Sequence, residues 1–281
     1  MPTPRISASS YSNTAPLVWS FLYGQNHGKV EIILDNAPAR SAELLAGDRV
    51  DAALVPVIAY QMIQGVRLIP NVCVGARQDV RSVCLVTNGM DLADVRSVAL
   101  DVSSKTSVVL TKIIFREFLG FEPEWRPAEP NIDAMLANND AALLIGDPAL
   151  RLSGSCESAI RDPRSAIRTF DLANLWHQHT GLGFVFAMWM TKQESCPVDF
   201  AAARDEGLAH LSEIIANYSS DIHLGDDEMR KYLSENISYS VDDSMRLGME
   251  LYFQLAAKHR LIDGDRDLEW IADDGSQHGA F

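Results

Sequence analysis

Short apolar, β-branched segments recur through the first two thirds of the chain and alternate with segments of helical pattern. The apolar segments cover residues 32–34, 52–57, 82–86, 97–102, 141–145 and 184–190. The helical patterns between them cover residues 16–23, 39–46, 107–119, 132–138 and 171–177. Alternating strands and helices of this kind predict an α/β fold with largely parallel sheets.

The helical pattern at residues 107–119 is the clearest single element. Leu110, Ile114 and Phe118 lie four residues apart and form one apolar face that should pack on a sheet. Past Pro197 only helical spacing recurs. We therefore expect an all-helical final third, which either packs on the rest of the chain or forms a homodimer contact.

Two segments are candidates for crossings between structural units. They are a polar link at residues 88–94 and an apparent hinge at residues 183–191. Two crossings predict a first lobe of residues 1–88 plus 190–281 and a second lobe of residues 89–189. A small ligand would then bind in the cleft between the lobes.

The composition limits the classes of function. Acidic residues outnumber basic ones by 38 to 24, and the formal net charge of -14 is opposite in sign to that of most nucleic-acid-binding proteins. The four cysteines are scattered without metal-ligand spacing, and no apolar run is long enough for a signal peptide or a membrane span. We expect a cytoplasmic protein that binds no metal, nucleic acid or membrane.

The first candidate site is the turn at residues 9–16, which reads S-S-Y-S-N-T-A-P and lies between a predicted opening strand at residues 5–8 and the first helical pattern. Open α/β sheets bind ligands where strands end, and a helix amino terminus there suits an anion. The alternative is ordinary helix capping by Asn13 or Thr14. Spacing alone favours capping.

The second candidate is the turn at residues 103–107, which brings Ser104, Thr106 and Ser107 to the start of a long helix. Hydroxyls and backbone N–H groups there could hold a carboxylate or a phosphate, or could simply cap the helix. The spacing of a phosphate-binding P-loop is absent from the sequence.

The third candidate is the turn Gly146-Asp147-Pro148, which follows the apolar segment 141–145. Asp followed by Pro is typical of a helix start, so capping is the favoured interpretation. The turn would nevertheless lie at the same sheet edge as the other two, where Asp147 could orient a ligand hydroxyl.

Ser82 opens or immediately precedes a strand. A nucleophilic serine would need a G-x-S-x-G turn or a linked histidine, and the sequence shows neither. Hydrogen bonding is therefore its expected role. The seven histidines, His177 and His179 among them, show no catalytic spacing.

Six segments, in this order, resemble the chorismate dehydratase family of the futalosine route to menaquinone. They are residues 6–17 (ISASSYSNTAPL), 50–60 (VDAALVPVIAY), 80–86, 101–107, 145–150 (IGDPAL) and 180–189. The resemblance covers the first two thirds well and the helical tail loosely. It implies a type II periplasmic-binding-protein-like fold, with two α/β lobes, a ligand cleft between them and a helical C-terminal segment.

The resemblance also implies a hydro-lyase that converts chorismate to 3-[(1-carboxyvinyl)oxy]benzoate without a cofactor. Asn13 and Ser82 match positions implicated in the family's active site. Neither side chain titrates near neutrality, so both would orient substrate and hydrogen-bond the departing hydroxyl. The substrate's own enolpyruvyl carboxylate is a candidate base. Thr106 and Ser107 match a position suited to the ring carboxylate, and Asp147 falls at the lip of the cleft.

Two positions depart from the family pattern. Ser12 stands where Leu is common, and Gly183 stands where Pro is common. Either change could alter the pocket wall or the hinge. Chorismate is a dianion, so we expect a locally neutral or positive cleft. Screening over about 8 Å makes remote surface carboxylates weak in comparison.

Other functions are compatible with the same fold, because fold does not fix function. One is a cytoplasmic solute-binding protein for a small aromatic or carboxylate ligand. Another is the related 1,4-dihydroxy-6-naphthoate synthase, whose motifs and base histidine are not recognisable in this sequence. A transcription-factor effector domain is disfavoured, because no helix-turn-helix segment precedes it.

Overall fold

The computed structural model describes residues 3–35, 38–156, 167–196 and 198–271. The strands of this part are β1 (Arg5–Ser9), β2 (Glu31–Asp35), β3 (Ala52–Pro56), β4 (Arg67–Ala76), β5 (Val83–Thr87), β6 (Ser97–Asp101), β7 (Glu124–Ala128), β8 (Ala141–Ile145), β9 (Arg168–Asp171) and β10 (Phe184–Thr191). The helices are α1 (Ala15–Leu22), α2 (Pro38–Ala46), α3 (Ala59–Met62), α4 (Lys105–Ile113), α5 (Ile132–Leu136), α6 (Asp147–Cys156), α7 (Leu172–Thr180), α8 (Phe200–Ala209), α9 (Leu211–Ile222), α10 (Asp226–Lys231) and α11 (Asp243–Lys258).

The strands form two five-stranded sheets, with the orders β2-β1-β3-β10-β4 and β7-β6-β8-β5-β9. β1 is parallel to β2 and β3, and β6 is parallel to β7 and β8. β10 is antiparallel to β3 and β4, and β5 is antiparallel to β8 and β9. The sheets are therefore mixed, and the prediction of largely parallel sheets is wrong. β5 and β10 are the strands at which the chain enters each sheet from the other one, and each runs antiparallel to both of its neighbours.

The chain passes between the sheets through residues 77–82, between β4 and β5, and through residues 181–183, between α7 and β10. The predicted crossing at residues 88–94 instead connects β5 to β6 within one sheet. The predicted crossing at residues 183–191 is mostly β10 itself. Polarity marks a surface turn, and it does not show which sheet the next strand joins.

Strand membership also shifts the predicted lobe limits. β5 belongs to the second sheet, although the sequence placed it in a lobe of residues 1–88 plus 190–281. β10 belongs to the first sheet, although the sequence placed most of it in a lobe of residues 89–189. The division into lobes that move as units stays a prediction.

Three strands escaped prediction, and all three lie at sheet edges. In β4, Pro70 and the left-handed Asn71 (φ 60°) interrupt the apolar pattern. β7 and β9 are short and carry charged, exposed residues. Edge strands of this kind lack the apolar run that marks a buried strand.

The helical predictions are mostly confirmed. α4 begins at Lys105, because the Ser104 side chain caps it, and it continues as a π-helical turn (Ile114–Leu119) that ends at Gly120. The final third is helical from α8 to α11; α8 packs on α1 and α11 packs on β10. Within the ranges that the structure describes, no helix has the length and apolar character needed to cross a membrane.

A buried carboxylate fixes the first crossing. Asp171 Oδ2 accepts hydrogen bonds from the backbone N–H groups of Val80 (2.9 Å) and Arg81 (2.6 Å). Asp171 Oδ1 accepts one from Asn174 N–H (3.0 Å), which caps α7. Burial raises the pKa of Asp171 to about 6, against the effect of these bonds. The carboxyl thereby holds Arg81 at a φ of 60°, directly before Ser82.

The second crossing, residues 181–183, packs closely against α11. A Cβ atom on Gly248 would lie 2.0 Å from the carbonyl oxygen of Gly183. The Gly183 N–H donates to Ser244 Oγ (3.0 Å), and the Gly183 carbonyl accepts from Trp176 Nε1 (3.2 Å). A proline at position 183 could not donate this hydrogen bond, so the departure from the family pattern has a structural partner in α11.

Asp171→Asn should change how stability depends on pH. The carboxyl has a pKa of about 6 in the folded protein against an ordinary value of 3.8, so the folded state binds the extra proton between those values. Wild-type stability from this group therefore falls as pH rises through that window. Urea denaturation at about pH 4.5 and at about pH 7.5 measures the free energy of unfolding of both proteins. The wild type should exceed the variant by a larger amount at about pH 4.5. A difference independent of pH would contradict this assignment.

Gly248→Ala should destabilise the fold, because the new methyl group overlaps the Gly183 carbonyl. We expect a loss of about 3 kcal/mol in the free energy of unfolding, measured by urea denaturation. Gly264→Ala is the matched control, because a Cβ atom there has no neighbour within 4 Å. Its change should stay below about 1 kcal/mol. Equal effects of the two variants would show that the contact with Gly183 is unimportant.

Candidate active site

A narrow cleft lies between the two sheets, with a cavity volume of about 60 Å³. β1, β3, β4 and β10 line it from one side, and β5, β8 and the start of α4 line it from the other. Its polar lining residues are Ser9, Tyr11, Asn13, Thr14, Ser104, Thr106 and Ser107. The lining within the described residues contains no Asp, Glu, Lys or Arg. The Asp147 carboxylate adjoins this lining, next to Gly146, so the expectation of a locally neutral or positive cleft stays a prediction.

The structure brings most of the predicted site residues to this one cleft. Asn13, Gly146 and the three predicted residues of the 103–107 turn all line it. Ser82 and Asp147 are not in the lining; each hydrogen-bonds or directly adjoins a residue of the three turns. The three turns therefore converge on one cleft, but not from the single sheet edge that was predicted: the first turn follows β1 in one sheet, and the other two follow β6 and β8 in the other sheet. Their roles in binding stay predictions.

Capping does not explain the first turn. The Thr14 hydroxyl donates to the carbonyl oxygens of Ser9 (2.6 Å) and Tyr11 (2.8 Å), and α1 has no side-chain cap. Asn13 lies in the 3₁₀ turn Ser12–Thr14, half-buried against the cleft. The turn is thus braced from within by Thr14, and Asn13 is directed at the cleft.

Ser12 joins the two sides of the cleft. Its hydroxyl donates to Asp147 Oδ1 (2.6 Å), and its backbone N–H points at the same carboxylate (3.3 and 3.4 Å). Burial raises the pKa of Asp147, and the Ser12 hydrogen bonds oppose that rise. The predicted capping role of Asp147 is not what the structure shows, because its carboxylate faces Ser12 and the Gly146 carbonyl accepts the first bonds of α6.

The second turn serves as a cap and lines the cleft as well. Ser104 Oγ accepts from the Ser107 N–H (3.2 Å) and caps α4. Thr106 Oγ1 accepts from the Ile58 N–H (3.4 Å) on the opposite side of the cleft, and the Thr106 carbonyl accepts from the Tyr252 hydroxyl (3.0 Å). The amino terminus of α4 is therefore held facing the cleft, where it favours an anion.

Position 146 requires a glycine. Its φ is 64°, and a Cβ atom there would lie 3.1 Å from the ring of Tyr11. Its N–H donates to the Ser82 carbonyl (2.7 Å). Gly146 thus lets the Tyr11 ring close over the third turn and ties that turn to the first crossing.

Ser82 is fully buried behind the lining. In the part of the chain that the structure describes, its hydroxyl has no hydrogen-bond partner of good geometry. A buried hydroxyl without a partner is uncommon and calls for a role. That Ser82 acts by hydrogen bonding and not as a nucleophile stays a prediction.

Sequence reasoning missed the roles of Ser12 and Tyr11. Ser12 stood out as a departure from the family pattern, but nothing local pointed to Asp147, 135 residues away.

No three His, Cys, Asp or Glu side chains converge as metal ligands within residues 3–35, 38–156, 167–196 and 198–271. The expectation that no cofactor is needed stays a prediction.

Comparisons with known proteins agree with this geometry. The family model described as menaquinone biosynthesis matches residues 4–258. The chain is 30% identical to the chorismate dehydratase of Thermus thermophilus over 255 residues, which cover 86% of this chain and 91% of that protein.

Solved structures with low sequence identity share the fold. A protein from Archaeoglobus fulgidus is 13% identical with a TM-score of 0.68, covering 92% of this chain and 98% of its own. The periplasmic aliphatic sulphonate binding protein SsuA from Escherichia coli is 14% identical with a TM-score of 0.66, covering 100% of this chain and 96% of its own. These likenesses confirm the periplasmic-binding-protein-like fold and nothing further. Since the menaquinone biosynthesis model spans residues 4–258, the chain belongs to that family.

Proposed function

We propose that the protein is a chorismate dehydratase, which removes water from chorismate to give 3-[(1-carboxyvinyl)oxy]benzoate in the first step of the futalosine route to menaquinone. One observation carries the proposal: the three turns that resemble that family line a single cleft, in a chain 30% identical to a chorismate dehydratase. The proposed partner is the small-molecule substrate. A cytoplasmic location and a homodimer remain predictions from the sequence.

The start of α4 is the proposed site of the ring carboxylate. The helix has nine residues, so its amino terminus carries a useful positive partial charge. Thr106 Oγ1 already accepts a hydrogen bond from Ile58, which leaves the hydroxyl hydrogen of Thr106 to donate. Thr106 and Ser107 would hold the carboxylate by charge-assisted hydrogen bonds.

The reaction breaks the C3–H bond and the C4–O bond of the substrate, and the C–H electron pair completes the aromatic ring. The hydroxyl and the proton leave together as water. Asn13 and Ser82 would orient the ring and donate hydrogen bonds to the departing oxygen. In this proposal the enolpyruvyl carboxylate of the substrate takes the C3 proton, because the polar groups lining the cleft are amides and hydroxyls that do not titrate near neutrality.

Incubation of the purified protein with chorismate, followed by proton NMR, tests the proposed function. The wild type should produce a new meta-substituted aromatic ring with the vinyl protons retained. Asn13→Ala should lower kcat by about a hundredfold, as expected when one donor to developing charge is removed. Asn88→Ala, at an exposed turn far from the cleft, is the matched control and should not change kcat.

Chorismate also decays unaided, so a sample without protein sets the background rate. If chorismate survives at that rate while its signals shift or broaden, the protein binds without turnover. The solute-binding interpretation then replaces the dehydratase. If neither shift nor turnover occurs, both are excluded.

Ser12→Ala should impair catalysis by loosening the contact across the cleft. The half-buried Asp147 carboxylate loses its 2.6 Å donor, and a hydrogen bond to a charged group contributes about 1.5–3 kcal/mol. We expect kcat/KM to fall by at least about tenfold. Ser240→Ala, an exposed serine in the helical third, serves as the control. Unchanged kcat/KM in Ser12→Ala would show that the contact with Asp147 does not support activity.

A further inference from the structure

Tyr232 is a fully buried tyrosine in the helical third, and it is not among the residues that line the cleft. It begins a π-helical turn (Tyr232–Asn236) that follows α10 directly. Among the described residues, its hydroxyl has no hydrogen-bond partner of good geometry. Turns of this kind are frequent at functional sites, and an orphaned buried hydroxyl is costly.

The neighbours of the Tyr232 hydroxyl are the two residues proposed to act on the departing oxygen. The Ser82 hydroxyl and the Asn13 amide both lie close enough to lower the pKa of the Tyr232 phenol, although burial outweighs them and raises it. The Ser82 hydroxyl is itself buried and lacks a partner in the described part of the chain. The two buried hydroxyls therefore lie within reach of each other and of Asn13, without a hydrogen bond of good geometry between them.

An ion pair ties the two segments together. Arg81, next to Ser82, lies 3.5 Å from Glu228, which precedes Tyr232 by one helical turn. Residues four apart lie on the same helix face. The helical third is thereby docked on the crossing that carries Ser82, with Tyr232 behind it.

We propose that Tyr232 is a positioning residue: once substrate is bound, its hydroxyl donates a hydrogen bond to Ser82 Oγ and so directs the Ser82 hydrogen at the departing C4 oxygen. The inference rests on the proposed function. Each hydroxyl has one hydrogen, so a chain from Tyr232 through Ser82 to the substrate uses each donor once. The phenol stays protonated, because burial and the nearby Asp147 carboxylate raise its pKa.

Tyr232→Phe removes this donor and keeps the ring. We expect kcat for chorismate to fall by about ten- to hundredfold while KM changes less than about twofold. Tyr239→Phe is the matched control, because Tyr239 is also buried and its hydroxyl also lacks a partner in the described chain. The control should keep wild-type kcat. Urea denaturation should show Tyr232→Phe to be at least as stable as the wild type, since it loses an unpaired buried hydroxyl.

A double-variant comparison tests whether Tyr232 acts through Ser82. In Ser82→Ala, adding Tyr232→Phe should lower kcat no further, because the Ser82 hydroxyl it would orient is gone. The proposal would be overturned if the Ser82 and Tyr232 substitutions lowered kcat multiplicatively, or if Tyr232→Phe kept the wild-type kcat. It would also be overturned if Tyr232→Phe and Tyr239→Phe lowered kcat equally. If Tyr232→Phe fails to fold, 3-fluorotyrosine can replace Tyr232, because it keeps the ring shape. This replacement should change kcat, whereas 3-fluorotyrosine at position 239 should leave kcat unchanged. Failure of the wild type to convert chorismate would instead overturn the proposed function itself.

Discussion

The cleft keeps its form because a half-buried carboxylate, that of Asp147, joins its two sides. Ser12 and Asp147 meet across the cleft, one beside the first sheet and the other at the start of α6. Burial alone disfavours an ionised carboxylate, so the Ser12 hydroxyl and N–H are needed to stabilise it. The Asn13 turn is thereby held facing the Gly146 turn. A leucine at position 12 would have no hydroxyl to donate, so this contact depends on Ser12.

The uncharged residues that line the cleft explain how an acidic protein could bind a dianion. The chain has a net charge of -14, but its described cleft lining is uncharged. Surface carboxylates beyond about 8 Å are largely screened at physiological ionic strength, while helix amino termini and hydroxyls act at contact distance. Local donors therefore outweigh the global charge.

Sequence patterns predicted what is local and missed what depends on distant partners. β8 has the predicted limits, and the turns that carry Asn13 and Gly146 follow strands as expected. The crossings were misplaced, because which sheet a strand joins depends on its partners and is not encoded in its own polarity. Tyr232 belongs to a helical pattern that predicts only burial, and its neighbours Ser82 and Asn13 lie far away in the sequence. No local spacing could have revealed that cluster.

We propose that one cleft, between the amino terminus of α4 and the Asn13 turn, holds chorismate for dehydration. A crystal structure of the complex with 3-[(1-carboxyvinyl)oxy]benzoate would show whether this is so. The ring carboxylate should lie within hydrogen-bond distance of Thr106 and Ser107, with ring C4 facing Asn13 and Ser82. Product bound outside this cleft, or with its ring carboxylate turned away from α4, would contradict the claim.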